Sequence, residues 1–175
     1  MDWPVEPYVI PGERAAALMG SLALAWDGQW FLKAIEEFGL EAAMRLNSRV
    51  RVAFGRIEMR ETLKALDKKR ADDLADALRI VMTYGRLMMN DRLESTGSLA
   101  GDEAQIEVTR CYVAENAKRA NLGRFDQACL ACPELWQAWL GTLLPGRQVD
   151  IETLAQIGRG DGRCAMTVRI APAGP

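Results

Sequence analysis

Four cysteines are the most reactive side chains of this 175-residue chain: Cys111, Cys129, Cys132 and Cys164. Cys129-x-x-Cys132 followed by Pro133 has the spacing of an iron–sulfur ligand pair, and four thiolates could complete a cysteine-only zinc or cluster site. A second close pair is missing, and i, i+3 spacing on a helix suits ordinary buried thiols equally well, the leading reading for Cys132. Cys111 differs in position. It falls where an alternating, strand-like pattern hands over to a helical one, and a thiol at a helix start meets free backbone N–H groups that favour thiolate. That is the setting of a nucleophile; a buried strand-end cysteine is the competing reading. Histidine is absent from the chain. Its absence removes Ser–His–Asp and Cys–His catalysis, His-ligated zinc and axial-His haem. Proton transfer would fall to Asp, Glu, Cys, Tyr, Lys or water.

A second group of polar residues lies among apolar ones. Asp27 stands beside Trp26 and Trp30. Asn47 and Glu58 are eleven residues apart on one predicted helix, close to three turns, so they point roughly the same way. Polar groups on a largely apolar face need partners or a task. Helix–helix hydrogen bonding is the plainer reading. The functional one is a polar pocket floor, with a carboxylate that moves protons or holds a metal. On that reading Asp27, Asn47 and Glu58 converge on a cavity that Cys111 also lines, and two carboxylates sharing it push one pKa up. The alternative has Asp27 capping the helix after it and Glu58 facing solvent among arginines. Gly158-x-Gly160-Asp161-Gly162 is a weak phosphate-loop pattern with no helix after it, and reads better as a hairpin turn.

The elements that must position these residues follow from periodicity. Residues 1–11, with three prolines around Trp3 and Tyr8, read as an extended arm lying on the domain. Residues 13–26 read as a helix that Asp27-Gly28 loosens, and 29–38 continue it to a C′ glycine at Gly39. Residues 40–66 form a second helix. Its Arg45, Arg49, Arg51, Arg56, Arg60 and Lys64 lie mostly off the apolar stripe and read as a solvated face. A polar break at 67–70 precedes a third helix over 71–89, with Leu74, Leu78, Val81, Met82 and Leu87 inward. Near residue 90 the period changes. A short strand at 92–95, a turn at 97–101 and a strand at 105–110 lead to Cys111. A helix over 112–120, closed by 121–123, and a two-part helix over 125–143 precede strands at 148–157 and 164–170, which pair as a hairpin. The expected fold is α+β: three N-terminal helices, then a small antiparallel sheet with inserted helices. Residues 1–175 would make one domain, with a helical half (12–90), a sheet half (91–171) and a tail (172–175).

Composition narrows the function classes. Apolar residues make up 49% and charged ones 26%, with both signs interspersed and a net charge of −2. Nothing in this balance suggests a nucleic-acid or membrane-surface partner. The longest apolar stretch, residues 15–26, is too short to span a bilayer. Met1-Asp2-Trp3-Pro4 opens no signal-peptide pattern, so a cytoplasmic location with reduced thiols is expected.

Two longer motifs carry a family resemblance. Trp26-Asp27-Gly28-x-Trp30-Phe31 and Glu37-Phe38-Gly39-x-Glu41-x-Ala43 resemble the front of a group of bacterial and archaeal proteins associated with L-2-amino-thiazoline-4-carboxylic acid hydrolases. Arg110-Cys111, Cys129 and Gly160-Asp161-x-x-Cys164-x-Met166 resemble the same family's cysteines and terminal hairpin. That closing pattern is also similar to the 4-vinyl reductase domain, a ligand-binding fold. The resemblance spans roughly residues 20–170 and implies a hydrolase that opens a small cyclic amidine. Cys111 would attack the ring carbon, Asp27 or Glu58 would serve as general acid or base, and Trp26, Trp30 and Asn47 would bind substrate. It also pairs Cys111 with Cys129, as pocket thiols or as ligands of a metal ion, with sulfurs closer than about 8 Å. No organic cofactor is implied. Two other readings stand beside this one: a non-catalytic protein that binds a small apolar ligand, and a Cys/carboxylate metal protein. The expected partner is a small molecule, with no nucleic acid and no membrane, and a homo-oligomer is compatible with all three.

Overall fold

A computed structural model describes residues 8–89, 92–120, 129 and 131–171. The fold is α+β. Three helices come first: α1 (Gly12–Phe38), α2 (Leu40–Ala65) and α3 (Leu74–Met89). Then follow β1 (Leu93–Ala100), β2 (Glu103–Cys111), α4 (Tyr112–Arg119), α5 (Cys132–Leu143), β3 (Val149–Ala155) and β4 (Cys164–Ile170). The four strands form one antiparallel sheet in the order β1-β2-β4-β3.

Helix α1 runs unbroken through Asp27-Gly28, where loosening was expected. Asp27 does not bond back to the backbone; its carboxylate is held by Arg51 of α2, which leaves the helical ladder intact. Gly39 alone joins α1 to α2. Its φ of 76° and ψ of 161° lie in a region that essentially only glycine occupies, and its N–H bonds to the Ile35 carbonyl at 2.9 Å. The third helix starts at Leu74, three residues later than expected. Asp73 Oδ1 accepts the Asp76 N–H at 2.8 Å, an N-cap that fixes the start. Its inward residues include Leu74, Ala77, Ile80 and Val81, but Leu87 is exposed. Here α1 crosses α3 backbone to backbone: a Cβ on Gly20 would stand 2.8 Å from the Leu87 carbonyl oxygen.

The turn expected over 97–101 is strand up to Ala100, and the chain reverses at Gly101-Asp102, with Gly101 at φ 58°. Gly97 fits inside β1 because it lacks a side chain; a Cβ there would lie 2.5 Å from the Gln105 carbonyl oxygen. Cross-strand rows Ala104–Val168–Ile151 and Ile106–Met166–Thr153 pave the sheet face towards the helices. The opposite face carries a charge ladder, with Arg169 bonded to both Glu103 (2.9 Å) and Glu152 (3.1 Å). The main core joins Met59 and Leu63 of α2, the inward side of α3, Leu140 and Leu143 of α5, and Val168 of β4; α1 contributes nothing to it. Tyr8, Val9 and Ile10 are exposed, so this part of the arm does not lie on the domain; Pro11 (φ −54°, ψ 142°) keeps the chain extended up to the free end of α1. Residues 1–7, 121–128 and 172–175 fall outside the described residues, and with them the rest of the arm, the 121–123 closure, the start of the 125–143 helix and the tail.

Candidate functional site

A cavity of about 720 Å³ opens between α1, α2 and α3 on one side and α4, α5 and the sheet on the other. One face of α2 supplies three of its polar residues. Asn47, Arg51, Phe54 and Glu58 are spaced by four, three and four residues, so all line the same wall. Trp26, Asp27 and Trp30 of α1 line the facing side near the mouth, where Trp26 is 73% exposed and Trp30 50%. Cys111 lines the cavity from the end of β2, and Cys129, Cys132 and Cys164 line it too. The structure thus brings Cys111, Cys129, Asp27, Asn47, Glu58, Trp26 and Trp30 to the lining of one cavity.

Glu58 is 8% exposed and does not face solvent among arginines. Its Oε1 accepts the Tyr84 hydroxyl at 2.5 Å and its Oε2 accepts the Trp139 indole N–H at 2.6 Å. Tyr84 and Trp136 both meet the Trp139 ring edge-on, at 5.8 and 5.5 Å between centroids. Burial first, then the neighbouring Glu58 carboxylate, push the Tyr84 hydroxyl far above its ordinary value, so it remains a donor. Arg51, expected on a solvated face, pairs with Asp27 instead. Burial pushes the Asp27 carboxyl up and Arg51 partly pulls it back. Asp27 lies inside α1, so it caps no helix.

Cys111 is the N-cap of α4, extended at φ −135° and ψ 118°, and its side chain makes no capping bond. Burial, with the other three thiols nearby, pushes Cys132 up to about 12. Cys164 is also raised by burial, although the Ile157 N–H donates to its sulfur at 3.3 Å. Both are protonated thiols at neutral pH. Among the described residues no group of three or more Cys, Asp or Glu side chains is arranged to hold a metal ion, so Cys111 and Cys129 find no third ligand there. No helix among the described residues is long and apolar enough to cross a membrane.

Neither a family model nor a curated protein matches this chain. The site therefore has to be read from its own geometry. Four of its residues escaped sequence reasoning. Arg51 had a signal, since it is one turn from Asn47 on the Glu58 stripe. Trp139 had a weaker one, because a buried indole N–H needs an acceptor. Tyr84 and Gln156 had none. Gln156 is 4% exposed and lines the cavity; its Nε2 donates to the Cys129 carbonyl at 3.4 Å, while its Oε1 has no partner among the described residues.

Proposed function

We propose that this protein binds a small, largely apolar molecule in the cavity. The observation that carries this reading is the cavity itself. Its volume is that of a small-molecule site, its walls are mostly apolar and aromatic, and a few polar groups are fixed within them. Glu58 has both oxygens engaged by its own chain, which suits a rigid recognition element. The test is calorimetric titration with 2-naphthylmethanol, a neutral aromatic of fitting size. One-to-one binding is expected, and Thr153→Trp, which fills the cavity from β3, should abolish it while the circular dichroism spectrum is unchanged. Unaltered binding in Thr153→Trp would overturn the reading.

A second reading is hydrolysis of a cyclic C–N bond, in line with the family resemblance, and it rests on Cys111. This thiol lines the cavity at the start of α4 with no capping bond. As thiolate it would add to the ring carbon; the C–N bond would break as a proton reaches the nitrogen, and water would then release the adduct. Asp27 is the better placed group for that proton transfer, since both oxygens of Glu58 are already bonded by Tyr84 and Trp139. Turnover of 2-amino-thiazoline-4-carboxylic acid that disappears in Cys111→Ala and persists in Cys132→Ala would establish this reading. Equal turnover in both variants would remove it.

A further inference from the structure

The cavity carries an imbalance of charge. Its charged lining residues, among those described, are Asp27, Arg51 and Glu58. Asp27 and Arg51 neutralise each other. Glu58 is left, held by two neutral donors and by no ion pair among the described residues. Two donors on two oxygens is the pattern a carboxylate takes. A buried carboxylate without a counter-charge is costly to maintain, and a cation entering the site offsets that cost. The neutral polar groups lean the same way. Gln156 Oε1 is a buried acceptor with no donor among the described residues, while its own N–H group is committed to Cys129. Swapping the amide atoms would set two carbonyl oxygens against each other, so the acceptor is the end left unmet. The aromatic rings of Trp26, Trp30, Tyr84 and Trp139 complete walls whose faces attract cations.

We infer that the bound molecule is a hydrophobic monocation of the primary-amine type, its ammonium donating to Glu58 and a further donor on it meeting Gln156. The inference rests on the cavity being a ligand site and adds the sign of the ligand's charge. An anion is the obvious competitor because Arg51 is present. It would have to displace Asp27 from the guanidinium and would sit in a cavity that already holds the unpaired Glu58 carboxylate.

Three probes share one ring system and differ in charge: 2-naphthylmethylamine, 2-naphthylmethanol and 2-naphthoate. In calorimetry on the full chain, the amine should bind roughly tenfold or more tighter than the alcohol, the gain expected of a charged hydrogen bond. The carboxylate should bind weakest. Glu58→Gln should weaken the amine far more than the alcohol, bringing the two to within about twofold of each other. Gln156→Leu should cost the amine only about threefold. An alcohol that binds wild-type protein as tightly as the amine would overturn the charge assignment and leave the cavity reading intact. So would a carboxylate that binds tightest, and neither result needs a variant that folds. Failure of all three probes to bind would remove both the assignment and the reading beneath it.

Discussion

Between the main core and the outer wall of the cavity, the burial of side chains changes abruptly. In the core, Met59, Leu74, Ile80, Leu140, Leu143 and Val168 have essentially no solvent contact. The outer wall is α1, 27 residues long, of which only Gly20, Leu24 and Ala34 are buried. Leu22, Trp26 and Trp30 of α1 expose half or more of their surface while also lining the cavity. Folding free energy is thus concentrated in the core, through the area it removes from water. The outer wall is large and apolar for a helix that does so little for the core, and its apolar side chains face the volume a ligand would fill. The core holds the fold, while α1 lines the open volume beside it.

The sharpest way to break this comparison is to truncate one residue on each side. Leu140→Ala should lose about 2–5 kcal/mol in urea unfolding, from lost burial and the void left behind. Trp26→Ala should stay within about 0.5 kcal/mol, since its ring is mostly in water already. Equal losses would mean that α1 is as tightly held as the core. Next in size come two positions where the walls meet. Gly39→Ala should cost about 1–3 kcal/mol in the same assay, because its backbone conformation excludes a Cβ. Tyr84→Phe should cost about 1–3 kcal/mol by leaving one Glu58 oxygen without its donor. A neutral Tyr84→Phe would show that water can take the hydroxyl's place.

The smallest effects are in pH, and they differ in sign between α3 and α1. Asp76 of α3 is held below its ordinary 3.8, by Lys68 first. Its contribution is complete above that value and is lost as pH falls through the depressed one. Asp27 of α1 is held above 3.8 by burial, so its native form binds protons more readily than the unfolded chain. Stability should then decline as pH rises from 3.8 through the raised value. In urea titrations across acidic pH, Asp76→Asn should remove a slope that rises with pH, and Asp27→Asn one that falls. Slopes of the same sign would contradict the environment assigned to one of the two.

The architecture was largely legible because periodicity is a local property. The change of period near residue 90 and the 164–170 strand are visible in a single pass along the chain. The boundaries failed where a distant group decides them. Asp27-Gly28 looked like a weak point because nothing nearby announces that Arg51 takes up the carboxylate. The 97–101 segment has turn chemistry, yet Gly97 is there to let Gln105 approach across the strand pair. Leu87 fits an inward stripe, but the crossing of α1 at Gly20 is invisible from α3 alone. The site divides in the same way. The eleven-residue spacing of Asn47 and Glu58 reveals a shared face, and Arg51 lies on that face too. Tyr84 and Trp139 are bound to Glu58 across 26 and 81 residues of sequence, and no local pattern encodes such a pairing.

The single-residue joint at Gly39 has a mechanical consequence. Helix α1 has 27 residues and is therefore about 40 Å long. Turning about that glycine, it would act as a lever. By its length, a turn of about 10° at Gly39 carries the far end near Gly12 through about 7 Å. Trp26 and Trp30, roughly 10–20 Å from the pivot, move only about 2–3 Å in the same turn. The close approach of Gly20 to the Leu87 carbonyl lies farther out than either. A molecule held at the two tryptophans would sit close to the fulcrum, where a large swing of the helix would become a small change of aperture.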